Sequence, residues 1–330
     1  MFRRLATLSL AAAAIAPAAA HADGLPVPVD GAQHAVTSAD GTTRFAVRRA
    51  HGDTRVLRLD ADRHVTGSAT LHGRYAIPVV ALDGTAGGLS HDGGTLALIR
   101  PRHGFPRART PLAFLDTAAM RLRRAVTLRG DFSFDALSPD GSTAYLIQYP
   151  SPRDATRYSV RSLDPASGRL APDAIVDPDD KPGEMRGYPL TRVMSHDGAW
   201  AYTLYQGGSG HPFVHALDTA HRRAVCIDLP AFTSGYGPER LRLSGDGATL
   251  TVLGSRKPYA LIDTASFAVR KPGAPRPAPA SQQAPAGRGG GATWPGIAAI
   301  AAAALALPAL ALVLVRRRRR PAAPPVSSGA

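Results

Sequence analysis

The residues whose type and spacing best suit chemistry are five aspartates, Asp40, Asp92, Asp140, Asp197 and Asp246, set 52, 48, 57 and 49 residues apart. Recurrent carboxylates can serve as general acids and bases or as cation ligands. Here each is followed by a glycine (Gly41, Gly93, Gly141, Gly198, Gly247) and preceded two residues earlier by a serine. An aspartate before glycine bonds back to its own backbone, and the glycine takes a positive φ at little cost. The pattern therefore reads as five tight turns. His91 and His196 fill the same slot in two of these turns, and two imidazoles on one rim would be half a metal site. The slot holds Ala39, Pro139 and Gly245 elsewhere, so exposed turn histidines are the better reading. Asp177, Asp179, Asp180 and Glu184 offer oxygens for calcium, but without the ligand spacing of a calcium loop they read as solvated. His211 follows the glycine-rich stretch 207–210, which interrupts strand-like sequence, whereas a phosphate cradle opens a helix. Cys226 is the only cysteine, which excludes an intramolecular disulfide, and its apolar neighbours mark it as a small buried hydrophobe. Neither a Gly-x-Ser-x-Gly elbow nor a His-Glu-x-x-His pair occurs. No residue is assigned a catalytic, cofactor-binding or metal-ligating role, and no cofactor is expected.

The elements around these turns form a repeat. A second landmark lies 17 to 24 residues after each first aspartate: Asp60, Asp116, Asp164, Asp218 and Asp263, each preceded by Leu or Ile. In the last four units it continues Thr-Ala or Pro-Ala. Text rich in aromatic and branched residues flanks both landmarks, as at 142–149 and 199–205. Each unit therefore reads strand, Asp-Gly turn, strand, loop, strand, Asp turn, strand. Four antiparallel strands in about fifty residues is the size of one propeller blade. The expected fold is all-β, a propeller of about five four-stranded blades over residues 23–270.

The repeat resembles the YVTN-type bacterial β-propeller, related to the quinoprotein-dehydrogenase-like and Trp-Asp-repeat propellers. Blades of that family carry a Ser-Pro-Asp-Gly turn and then an Ile-Asp-Thr-Ala turn. Residues Ser138 to Gly141 match the first as written and Ile262 to Ala265 the second. These motifs shape turns, so the resemblance implies fold rather than activity. The stretch from Asp177 to Glu184 leaves room for a degenerate sixth blade.

The chain ends address the protein. Arg3 and Arg4, a short apolar run and Ala20-His21-Ala22 compose a secretory signal over residues 1–22. Residues 271–293 are a Pro- and Gly-rich stalk that cannot bury enough apolar surface to fold. Residues 294–315 begin with Trp294 and then run without a polar side chain for the length a helix needs to cross a bilayer. Arg316, Arg317, Arg318, Arg319 and Arg320 follow at once and hold the tail 316–330 on the cytoplasmic side. The expectation is a single-pass cell-membrane protein with its propeller outside. The order of stalk, helix and arginines also resembles a bacterial sorting signal, but the Leu-Pro-x-Thr-Gly motif is absent.

The formal charge of +14 suggests nucleic acid, misleadingly. Ten of the basic residues lie in the signal, stalk and tail, which hold no acid, leaving 29 basic against 25 acidic residues in 23–270. That balance removes the electrostatic case for nucleic acid. Three lysines among 39 basic residues, with abundant alanine, point to a high-GC bacterial genome. The expected partners are membrane lipid and an unknown extracytoplasmic protein or small molecule, with the propeller itself monomeric. The expected function is a non-enzymatic binding or scaffold module. The alternative is a propeller hydrolase or lactonase, which would need polar groups converging on the channel.

Overall fold

The computed structural model describes residues 35–179, 185–207, 211–229, 238–254 and 257–274, all strand, turn and loop. Among the described residues five consecutive units follow the repeat. The first holds β1 (Ala35–Thr37), β2 (Arg44–Ala50), β3 (Asp53–Leu59) and β4 (Val65–Leu71) in one antiparallel sheet. The second holds β5 (Thr95–Ile99), β6 (Arg109–Asp116) and β7 (Arg121–Arg129). The third holds β8 (Phe132–Leu137), β9 (Ala144–Gln148), β10 (Arg157–Leu163) and β11 (Leu170–Ile175). The fourth holds β12 (Met185–Met194), β13 (Trp200–Gly207), β14 (Pro212–Asp218) and β15 (Arg223–Asp228). The fifth holds β16 (Pro238–Leu243), β17 (Thr249–Gly254), β18 (Lys257–Asp263) and β19 (Val269–Arg270). The third and fourth units merge into one eight-stranded sheet through two pairs, Arg157 with Arg186 and Tyr158 with Met185.

Local chemistry closes every first turn in the same way. The serine hydroxyl donates to the aspartate Oδ1 at 2.5–2.6 Å in all five units. The N–H two residues after the aspartate donates to the same oxygen. The N–H five residues after the serine donates to the serine Oγ at 2.8–2.9 Å. The glycines sit at φ between 68° and 74°, where a Cβ would be strained. The second landmark works similarly: Asp164, Asp218 and Asp263 each take two backbone N–H groups of their own turn. The next threonine ties the two landmarks together, Thr117 donating to Gly93 O, Thr219 to Gly198 O and Thr264 to Gly247 O.

The expectation of four regular strands fails in the second unit. Its inner segment meets β5 at two isolated bridges, Ala76 with Ile99 and Leu89 with Leu96. Gly88, at φ 92°, breaks the extended path there. The chain before it forms a short hairpin, pairing Val79 with Ala86. That hairpin reaches the fourth unit, where Leu82 N–H donates to Pro189 O and Asp83 N–H to Leu190 O.

Buried clusters join successive units. Phe45, Val47 and Val56 of the first pack on Leu96 and Leu98 of the second. Phe114 of the second packs on Phe132 and Phe134 of the third. Tyr145 and Val160 of the third pack on Tyr205 and Leu217 of the fourth, and Leu204 of the fourth on Val252 and Ile262 of the fifth. Each such side chain contributes about 1.5–3 kcal/mol on burial. Sheets stacked face to face in chain order around a shared cavity are the arrangement of a β-propeller. The expected signal 1–22, most of the expected stalk 271–293, the apolar segment 294–315 and the arginine tail 316–330 lie outside the described residues. Among the described residues no helix is long and apolar enough to cross a membrane.

Candidate functional site

The inner segments of the first four units enclose a cavity of about 360 Å³. Val36, Leu89, Leu137 and Val193 give it apolar walls, and Gly87 and Gly88 bring backbone to its surface. Asp135 of β8 and Arg192 of β12 line it as well. They meet because β8 carries a bulge at Asp135, between the pairs of Phe134 and Ala136 with β9. Phe134 and Leu137 face the second unit while Ala136 faces the fourth.

The Asp135–Arg192 pair is almost dry, the residues being 2% and 8% exposed. Arg192 donates through Nη2 to Asp135 Oδ1, through Nη1 to Asp135 O, and through Nε to Thr203 Oγ1 at 2.8 Å. Asp135 Oδ2 is buried without a hydrogen-bond partner. Such an atom costs about 1–3 kcal/mol unless something donates to it, so a donor group from a ligand or water is favoured there. Asp135 also lines a second, narrower space beside Tyr149, Tyr158 and Tyr205.

Register extends this pair into a polar row across the fourth sheet. Arg192 pairs with Thr203, Thr203 with His215, and His215 with Cys226. The row starts at the cavity and ends at β15, where Cys226 N–H donates to Asp177 Oδ2 at 2.7 Å. Burial pushes the His215 imidazole down to about 4, opposed by Asp135. His215 Nε2 has no hydrogen-bond partner.

The residues singled out from sequence fall in different places. His91 and His196 are both exposed and both line the cavity at the level of the turns. His196 Nε2 lies 3.0 Å from Ser244 O, and the His91 ring sits against Gly198. The first-turn carboxylates point into their own turns, where the Ser138 hydroxyl first, then the Ser142 backbone, holds Asp140 below the usual carboxylate value. Asp197 is lowered in the same way by Ser195. Asp177 is occupied by backbone N–H groups, while Asp180, Glu184 and residues 208–210 lie outside the described residues. Cys226 is half-buried rather than sealed in the core. Among the described residues no three His, Cys, Asp or Glu side chains group closely enough to hold a metal.

Sequence reasoning missed Asp135, Arg192 and His215, which carry no local motif. It also missed a second charged knot, in which Arg102 and Arg107 both engage buried Asp131. Arg107 N–H donates to Asp131 Oδ2 at 2.8 Å and pins the loop before β6. Burial, then the neighbouring Arg102, lowers Arg107 to about 10.

No protein-family model matches the chain, and no curated protein matches it. Among solved structures it is similar to hydrazine synthase of Kuenenia stuttgartiensis, at 18% identity over 75% of this chain and 67% of that one, TM-score 0.46. It is also similar to a putative TolB from Agrobacterium tumefaciens, at 17% identity over 72% of this chain and 79% of that one, TM-score 0.40. The β-propeller domain of Cps50 (Swd1) from Myceliophteria thermophila gives 12% identity over 68% of this chain and 64% of that one, TM-score 0.41. At such identities and scores these likenesses transfer no activity to this chain.

Proposed function

We propose that the chain is an exported, single-pass membrane protein whose five-bladed, YVTN-type propeller binds a small extracytoplasmic ligand in its central cavity. In this reading it is a binding or scaffold module without turnover. The cavity carries the proposal: apolar walls with one convergent polar pair are what small-ligand sites are made of, and Asp135 Oδ2 lacks a partner. Hydrolysis is less well supported. Asp135 lies within the buried strand β8, whereas His91 and His196 sit in exposed first turns of other units. General acid–base partners must come within hydrogen-bond reach of one substrate atom.

The test is a thermal-shift screen of the purified full chain against small-molecule extracts of the cell envelope and a panel of sugars and lactones. Thr37→Trp fills the cavity from an exposed position on β1, leaving the buried clusters intact. Ligands that raise the wild-type melting temperature should leave that variant unmoved. If they stabilise both proteins equally, the cavity is not the site.

A further inference from the structure

The outer end of the polar row brings together three soft or borderline donors. Cys226 Sγ lies 3.8 Å from Met185 Sδ and 4.0 Å from His215 Nδ1. Cys226 and His215 are register partners on β15 and β14, and Met185 opens β12, held there by its pairing with Tyr158. Metal–sulfur bonds near 2.3 Å and metal–nitrogen bonds near 2.0 Å, at trigonal or tetrahedral angles, separate two sulfurs by about 3.8–4.0 Å and a sulfur from a nitrogen by about 3.5–3.7 Å. The sulfur–sulfur separation falls in that range and the sulfur–nitrogen separation is about 0.3 Å beyond it, so a small side-chain adjustment would let one ion touch Cys226 Sγ together with Met185 Sδ and His215 Nδ1.

Ordinary core packing leaves the imidazole unexplained. His215 is 1% exposed and its Nε2 has no partner. For Nδ1 the Cys226 sulfur at 4.0 Å is a poor hydrogen-bond partner. A buried imidazole so poorly satisfied invites an occupant. Ligating histidines commonly donate their other N–H to a carboxylate, directly or through a bound group. Asp135 Oδ2, also without a partner, lies in the same interface and acts electrostatically on His215.

The geometry points to a Cys226–Met185–His215 site for a single soft monovalent cation, Cu(I). Thiolate and thioether ligands select Cu(I) over the harder divalent ions, and imidazole suits copper as well. Coordination replaces the thiol proton: the Cys226 S–H bond breaks, the proton leaves to solvent, and the sulfur lone pair goes to copper with no change in oxidation state. The site lies on strands β12, β14 and β15, apart from the cavity walls, and stands whether or not the cavity binds a ligand.

The experiment is anaerobic competition between the full-length, detergent-purified chain and the chromophoric Cu(I) chelator bathocuproine disulfonate. The wild type should withhold one copper per chain. Cys226→Ala should weaken binding by about 100-fold. Met185→Leu, a volume-conserving change tolerated in cores, should weaken it by about tenfold with its unfolding midpoint unchanged. Copper X-ray absorption of the loaded wild type should show sulfur neighbours near 2.3 Å. Equal copper withdrawal by wild type and Cys226→Ala would overturn the assignment. So would unchanged affinity in Met185→Leu, or an absorption spectrum with nitrogen and oxygen neighbours alone.

Discussion

Replacing Arg192 by methionine is the sharpest probe of the interface between the third and fourth units. The change removes three donated hydrogen bonds, two to Asp135 and one to Thr203. It leaves the Asp135 carboxylate 2% exposed, with Oδ2 already without a partner. Breaking a buried pair from one side costs about 3–5 kcal/mol, mostly the desolvation of the abandoned charge. Asp135→Leu strands the guanidinium instead and should cost a similar amount. The double variant abandons neither charge, and apolar replacement of a whole buried pair is often neutral. It should therefore fall within about 1–2 kcal/mol of wild type, far less than the sum of the singles. Urea unfolding of the full chain in detergent measures all four proteins. Trp200 is the reporter: its ring stacks on Tyr202 at 6.1 Å and meets Phe267 of the fifth unit edge-on at 5.3 Å. A Trp294→Phe background removes the second tryptophan signal. Single variants costing less than about 1 kcal/mol, or a double equal to their sum, would refute the reasoning.

Three further outcomes are expected. Gly41→Ala meets open space and bears only the strain of φ 74°, about 1–2 kcal/mol, whereas a Cβ at Gly141 would lie 2.5 Å from Thr95 Oγ1 and 2.6 Å from Thr95 Cβ, so Gly141→Ala should lower the melting temperature clearly more. His215 stays neutral when folded until about pH 4, while unfolded histidine takes its proton near pH 6.5; stability is full above 6.5 and falls through that window by up to about 1.4 kcal/mol per pH unit. The groups acting on it are Asp135, Arg192 and Asp177, with Cys226 beside it, and His215→Gln should flatten the urea-midpoint slope between pH 6.5 and 4. An epitope fused after Ala330 should resist protease in intact spheroplasts while the propeller is released, because carrying five adjacent arginines through the bilayer opposes the reverse orientation; digestion of that epitope in intact cells would reverse the topology.

Much of the architecture was legible from sequence because its determinants are local. Ser138, Asp140 and Gly141 close their turn within six residues, and the same three residue types do so in every unit. The threonine after Asp116, Asp218 and Asp263 ties one turn to another some twenty residues away, which explains the second landmark. The inner segment of the second unit departed from this pattern. Tertiary pairing of the 76–86 hairpin with Pro189 and Leu190 placed Gly87 and Gly88 at the cavity instead of in a strand.

Sequence by itself determined the repeat and the turn chemistry, since each follows from contacts inside one unit. Only the tertiary structure decided which polar side chains meet. Asp135 and Arg192 stand 57 residues apart, and Met185 lies 41 residues before Cys226. Strands such as β5 and β8 are covered on both faces, so their text lacks the alternation that would mark which face a polar residue takes. All six residues of β8 are buried, and Asp135 meets Arg192 only because a bulge and the stacking of two sheets bring them to one interface. Distant pairings of that kind are fixed by packing geometry, which no local spacing records.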